Sequence, residues 1–225
     1  IRALKSHGGQ PRDGLETPNS DAVRAGLVNL DRHLESAGVF GKKPVVALNR
    51  FAADTDEEIS VVAEHVRGAG YRFAESRHFT EGGPGSADLA REVMASVEDN
   101  EALAHPYPAE ATFHEKVEAV AKRIYGAGSV VFTKDAEKDF AAIAGAGLGD
   151  LPVCIAKTPA SLSDDPALLC RPEGFQVTVR NVQVSAGAGF LVALTGTILR
   201  MPGLPKQPQA LKVRLNEDGS VEGVA

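Results

Sequence analysis

Two phenylalanines stand where an aromatic ring can do chemistry. Phe51 lies in Asn49-Arg-Phe-Ala-Ala-Asp-Thr55, the run that leaves one apolar strand, and Phe79 lies in Arg77-His-Phe-Thr-Glu-Gly-Gly83, the run that leaves the next. A ring left exposed on an exit loop offers a stacking face for a flat heterocycle. The same ring folded back onto the core is only packing, and Phe is usually buried. If the two strands are neighbours, the rings can clamp one planar ligand from both sides. Gly82-Gly-Pro-Gly-Ser86 precedes a helix, so its backbone N–H groups can hold an anion, although many helices begin after glycine with a plain Ser cap. Lys157, Thr158, Ser161, Ser163, Asp164 and Asp165 follow the apolar run Leu151–Ala156 and look like the polar set of a site.

These loops need a scaffold, and the pattern supplies one. Short apolar strands alternate with amphipathic helices, the signature of a mostly parallel α/β sheet flanked by helices. Ile1–Lys5 reads as the end of a strand and Ser6-His-Gly-Gly9 as its loop. Asn19-Ser20 caps a helix with Val23, Leu27, Leu30 and Leu34 at helical spacing. Pro44–Leu48 and Tyr71–Ser76 read as strands. Between them Thr55 and Glu58 form a capping box ahead of Ile59, Val62, Ala63 and Val66. A helix from Ser86 carries Leu89, Val93, Met94 and Val97. A second capping box, Thr112 with Glu115, opens a helix with Phe113, Val117, Val120, Ala121 and Ile124. Val130–Phe132 is a strand, and Phe140 and Ile143 belong to a further helix. In open α/β sheets ligands bind beyond the carboxyl ends of the strands, and Ser6–Gly9, Asn49–Thr55 and Arg77–Ser86 occupy that position.

Character changes near Gly149-Asp150. Val153–Ala156, Phe175–Val184, Phe190–Thr197 and Leu211–Leu215 read as strands, with Asp218-Gly219 a late turn. The expected division is therefore 1–48, then an α/β unit over 49–150, then a smaller β-rich carboxyl-terminal unit over 151–225.

Composition narrows the partners. Hydrophobic residues at 43% and charged residues at 24% are ordinary for a globular chain of this size. A formal net charge of −6, with no basic run interleaved with aromatics, points away from nucleic acid. Apolar stretches such as Val45–Leu48 are far too short to span a bilayer. No signal-peptide pattern opens the chain, and Ile1 in place of an initiator Met suggests a fragment. Cys154 and Cys170 have no Cys or His at ligand spacing and read as structural residues of a reducing cytoplasm. The histidines do not cluster, and we find no metal site and no nucleophile–base pair. No Gly-x-x-x-x-Gly-Lys-Ser/Thr loop is present, and Gly187-Ala-Gly189 lies between two β runs rather than between a strand and a helix.

The order of several segments is more specific. Arg2-Ala-Leu-Lys-Ser-His-Gly-Gly9, Gly26-Leu-Val-Asn-Leu30, Val45–Asn49 with Phe51, Asp54-Thr55, Gly82-Gly83, Ile124-Tyr-Gly-Ala127, Ile155–Pro166, Ser185-Ala-Gly-Ala-Gly-Phe190 and Met201-Pro-Gly-Leu-Pro-Lys206 together resemble the C-terminal part of the formate–tetrahydrofolate ligases, the ATP-dependent 10-formyltetrahydrofolate synthetases. The resemblance covers essentially the whole chain. It implies an enzyme that joins formate to tetrahydrofolate with ATP and Mg²⁺ through formyl phosphate, assembled as a homotetramer and helped by a monovalent cation.

The same resemblance implies a pterin held between two aromatic rings. Phe51 matches one of them, and Phe79 matches a position usually occupied by Trp, which keeps a stacking face but shrinks it. Ser185 and Gly187 match segments on the nucleotide side, and residues 1–48 the tail of the nucleotide-binding domain. Family members are about twice as long, and their phosphate loop lies in the N-terminal half that is absent here. Phosphoryl transfer depends on such groups, so this chain alone is expected not to make formyl phosphate; a non-catalytic folate-binding or assembly module is the alternative. Lys157, Asp164 and Asp165 then read as fixing a loop rather than as a reaction site.

Overall fold

Arg2–His7 is a helix, α1, and not the end of a strand as Ile1–Lys5 suggested. Only Ile1 of that run is β-branched, whereas Arg, Ala, Leu and Lys are strong helix formers. The computed structural model describes residues 1–98, 102–158, 161–195 and 207–223. Helix α1 turns Lys5 inward, where its ammonium meets Glu58 at 2.6 Å with both side chains fully buried. Lys5 also donates to the carbonyls of Leu15 and Thr17 at 3.2 and 3.0 Å. Glu58 accepts in addition from the Asn19 N–H at 2.7 Å and from the Thr55 N–H at 3.1 Å. Burial alone would push the Glu58 carboxyl up, but hydrogen bonds from Lys5, Asn19 and Thr55 outweigh it and hold the group down at about 2.

Helix α2, Ser20–Val39, starts on Asn19, whose side chain accepts from the Ala22 N–H at 2.9 Å. Its stripe of Val23, Leu27 and Leu34 is buried as the spacing requires. Gly26 brings α1 and α2 into contact: a Cβ there would sit 2.0 Å from the Leu4 carbonyl oxygen. Strand β1, Val45–Asn49, leads through Phe51 to α3, Asp56–Gly68, which opens with the Thr55–Glu58 capping box and buries Ile59, Val62, Ala63 and Val66. Strand β2, Arg72–Ser76, runs parallel to β1 with Asn49 opposite Ser76. The two strands are neighbours, as a shared clamp requires. A short helix α4, His78–Glu81, and a turn over Pro84–Ser86 lead into α5, Ala87–Glu98. Val93, Met94 and Val97 on α5 are exposed.

The second unit begins with α6, Phe113–Ala119, on its expected capping box, and continues into a π-helical turn over Val120–Tyr125 that ends at Gly126 in the left-handed region. Strand β3, Ser129–Phe132, and helix α7, Lys134–Gly145, follow. Next come β4, Val153–Ala156; β5, Gln176–Val179; β6, Asn181–Ser185; and β7, Phe190–Leu194. β3 pairs with β5 and β4 with β7, both parallel, while β6 and β7 form an antiparallel hairpin. The single run Phe175–Val184 is therefore two strands. Val177, Val179 and Val182 are the buried valines, so the alternation slips by one residue at Arg180. There the chain passes between sheets, and the Arg180 N–H donates to the Leu194 carbonyl at 2.7 Å. Leu211 lies in a short 3₁₀ turn, Gln209–Leu211, and only β8, Arg214–Leu215, of the expected Leu211–Leu215 strand is extended. It pairs with β9, Val221–Glu222, across the Asp218-Gly219 turn.

The fold is thus α/β, with parallel strand pairs flanked by helices and small strands at the carboxyl-terminal end. Among the described residues, two apolar clusters form the interior. One joins Val23 and Leu27 to Leu48, Ile59, Val66 and Phe73. The other joins Phe113, Val117 and Ala136 to Ile155, Val177 and Leu191. Leu48 and Ile59 share the first cluster, and Ala136 and Ile155 the second.

Lys5→Met should cost about 3–5 kcal/mol in urea unfolding, because it strands a buried carboxylate. The wild-type chain should hold its full Glu58 contribution above pH 4.5 and lose it as the pH falls toward about 2. In α2, Gly26→Ala should lose about 1–3 kcal/mol by overpacking. Gly38→Ala, where a Cβ meets nothing within 4 Å, should leave stability unchanged or raise it by up to about 1 kcal/mol.

Candidate functional site

The carboxyl ends of β1 and β2 carry the residues singled out for stacking. After Asn49 the chain turns tightly: the Phe51 N–H donates to the Asp54 carboxylate at 2.8 Å, and the Asp54 N–H returns to the Phe51 carbonyl at 3.0 Å. Asp54 is buried, which anchors the turn, while Phe51 is 41% exposed. Phe51 therefore does not fold back into the core. Its ring lies under the Arg2 guanidinium at 4.0 Å, a cation–π contact that fixes the ring and occupies one of its faces. Sequence reasoning missed Arg2 because the contact depends on α1 being a helix. Phe51 also borders a cavity of about 450 Å³ together with Arg2, Leu30, Val46 and Val62.

Charged side chains brace the same edge. Arg50 donates to Glu75 at 3.0 Å and to Asp56 at 2.7 Å, and Arg77 donates to Glu75 at 2.5 Å. Burial pushes the Glu75 carboxyl up, but hydrogen bonds from Arg77 and Arg50 prevail and hold it below the ordinary range. Phe79, on α4, is 86% exposed and does not border the Phe51 cavity. Ser86 does not act as a simple cap there. Its hydroxyl lies 3.0 Å from that of Ser76, which is also 3.0 Å from His78 Nδ1.

Ser185 and Gly187 lie elsewhere, at the tip of the β6–β7 hairpin. The Ser185 carbonyl accepts from the N–H groups of Ala188 and Gly189 at 3.0 and 2.8 Å, closing the turn. Gly187 is exposed, and a Cβ there would meet nothing within 4 Å. The aromatic pair and the hairpin pair thus sit on separate sheets.

The described residues of the loop after β4 are held by bonds within it and to β5. Lys157 donates to the Thr158 carbonyl at 3.2 Å and to the Ser161 carbonyl, and lies 5.1 Å from the Tyr125 ring centre. Burial lowers its ammonium pKa. The Asp164 carboxylate accepts from the Thr178 N–H of β5 at 3.0 Å, and Asp165 closes a turn with the Ala167 N–H at 2.8 Å. Ser161 and Ser163 are buried within the loop. Lys157, Ser161, Ser163, Asp164 and Asp165, which suggested a site, each have a structural partner. The Met201–Lys206 run lies outside the described residues.

Helix α2 joins the two units. Arg32 donates to the Ile124 and Arg123 carbonyls at 3.1 and 3.0 Å, satisfying carbonyls freed at the end of the π-helical turn. Asn29 donates to the Cys170 carbonyl at 2.6 Å, and Arg171 grips Glu35 through two 3.0 Å bonds. Cys154, expected to act as a small hydrophobe, is exposed on β4. It sits at a position whose side chain alternates away from buried Ile155. Among the described residues, no three His, Cys, Asp or Glu side chains gather to hold a metal ion. No described helix is long and apolar enough to cross a membrane.

The sequence model of the formate–tetrahydrofolate ligase family matches residues 1–225, the whole of the chain. The chain belongs to that family, as the ordered segments of its sequence indicated. Family membership places it among the ligases of one-carbon metabolism, whose substrates are formate and tetrahydrofolate.

Asp164→Asn removes the charge from the bond that ties the loop to β5. Hydrogen bonds to charged groups contribute about 1.5–3 kcal/mol, so urea unfolding of this variant should show a loss approaching that range. Asp165→Asn, confined to an exposed local turn, should cost less than about 0.5 kcal/mol.

Proposed function

We propose that this chain is the folate-facing, C-terminal part of the ligase and that Phe51 supplies a stacking face for the pterin. The observation that carries this reading is an exposed aromatic ring, anchored by Asp54 and Arg2 at the carboxyl end of a parallel strand, in a family that acts on tetrahydrofolate. Arg2 covers one face, so the pterin takes the other. Phe79 leaves the neighbouring strand and is free to close on the ligand from the far side. Its exposure suits a group that packs only when the ligand is present.

In this reading ATP, Mg²⁺ and the monovalent cation act mainly through residues outside these 225. No phosphate-loop motif occurs in the sequence, and the described residues offer no cluster of metal-ligating side chains. On the family resemblance, we assign formate activation as formyl phosphate to an N-terminal half of the enzyme. The open hairpin at Ser185 and Gly187 leaves room on the nucleotide side for the ligand's edge. Assembly into a homo-oligomer, a tetramer in the complete cytoplasmic enzyme, is supported by the uncovered apolar side chains of α5 and of the β8–β9 hairpin.

Calorimetric titration with tetrahydrofolate tests the clamp. Stacking of a base on an aromatic side chain is worth about 1–3 kcal/mol, so Phe51→Ala and Phe79→Ala should each weaken binding by about fivefold or more. Unchanged affinity in both variants would remove the clamp. In a coupled assay with ATP, formate and tetrahydrofolate, the 225-residue chain should show no turnover; clear product formation would place the phosphate chemistry on this chain after all.

A further inference from the structure

A second cleft, of about 620 Å³, lies beside the end of α2 and the second unit, away from the loops of Phe51 and Phe79. That volume is typical of small-molecule sites, which are largely apolar with a few convergent polar groups. Phe40, Val120, Ile124 and Ile155 supply apolar wall, and Lys116 stands among them. Lys116 is only 2% exposed. Its ammonium donates to the Asp150 carbonyl at 2.7 Å and forms no ion pair with a described carboxylate. Asp150 itself is exposed, so its carboxylate is solvated. An ammonium carries three donors, and burying its charge without an opposite charge is costly. An anion entering the cleft would offset that cost.

Two tyrosines in the cleft's lining, which also includes His105, suit the same occupant. Burial pushes the Tyr125 phenol up, so its hydroxyl stays a donor, and it has no hydrogen-bond partner among the described residues. Tyr107 accepts from the Val153 N–H at 3.3 Å through its hydroxyl oxygen, leaving its own proton to give. The exposed Cys154 thiol completes the wall between them.

We propose that this cleft binds a small organic carboxylate, its charged head against Lys116 and Tyr125 and its apolar body along Val120, Ile124 and Ile155. The site is independent of the folate reading. Cys154 makes it observable, because a ligand seated there shields the thiol. The test uses the 225-residue chain with 2-naphthoate and the uncharged 2-naphthalenemethanol as probes. Calorimetry should show naphthoate binding at least tenfold tighter than the alcohol. Naphthoate should slow iodoacetamide labelling of Cys154 at least fivefold while leaving Cys170 labelling unchanged, as read by peptide mass mapping. Lys116→Met should abolish the preference for the acid. Cys154→Phe, which keeps Lys116 but fills the wall, should abolish binding of both probes and decides the matter if Lys116→Met does not fold. No naphthoate binding at millimolar concentration, an unaltered preference in Lys116→Met, unprotected Cys154, or intact binding in Cys154→Phe would each overturn the proposal.

Discussion

The buried contact between Lys5 and Glu58 ties together four stretches of chain that are distant in sequence. Lys5 brings α1, the Leu15 and Thr17 carbonyls bring the loop before α2, and Asn19 brings the cap of α2 itself. Thr55 brings the start of α3 through the capping box. A carboxylate and an ammonium taken out of water are tolerated only when every remaining donor and acceptor is satisfied, and here the backbone does so. The position of α1 then sets Arg2 over Phe51, and the start of α3 sets Asp54 and the Phe51 turn. The stacking face depends on a charge pair it never touches.

A second constraint runs along α2. One side of this helix packs Val23 and Leu27 into the first cluster, while Asn29, Arg32 and Glu35 reach the second unit. Arg32 answers a need created by the π-helical turn, whose last carbonyls have no partner within the helix. The two units are therefore joined chiefly by polar bonds to helix and loop carbonyls. The 620 Å³ cleft, lined by Phe40 at the end of α2 and by Ile124 and Tyr125, lies beside this junction.

Much of this was legible in the residues. Capping boxes at Thr55–Glu58 and Thr112–Glu115, the Asn19 cap and the stripes of α2 and α3 follow from local chemistry, which side-chain spacing encodes directly. A parallel direction for β1 and β2 followed from the alternation of strands and helices, whereas their adjacency did not. Three features were hidden because they depend on long-range partners. Ile1–Lys5 is too short for periodicity to separate helix from strand, and its helical state is secured by Glu58 far along the chain. The break at Arg180 shows only as a one-residue slip between Val179 and Val182, easily read as one strand. Glu58 itself looked fully explained by its capping box, so nothing local pointed to Lys5. In the candidate site, Phe51 and Phe79 were legible as exit-loop aromatics, whereas Arg2 and the Lys116 cleft required the assembled fold.

The most direct measurement of the central claim uses the ring signals of the nine phenylalanines as reporters. With phenylalanine isotopically labelled and tetrahydrofolate added, NMR should show shift changes and intermolecular NOEs to the pterin at Phe51 and Phe79. The rings of Phe113, Phe132 and Phe140, packed against one another in the second unit, should not move. Pterin contacts confined to other rings, with Phe51 unperturbed, would contradict the account.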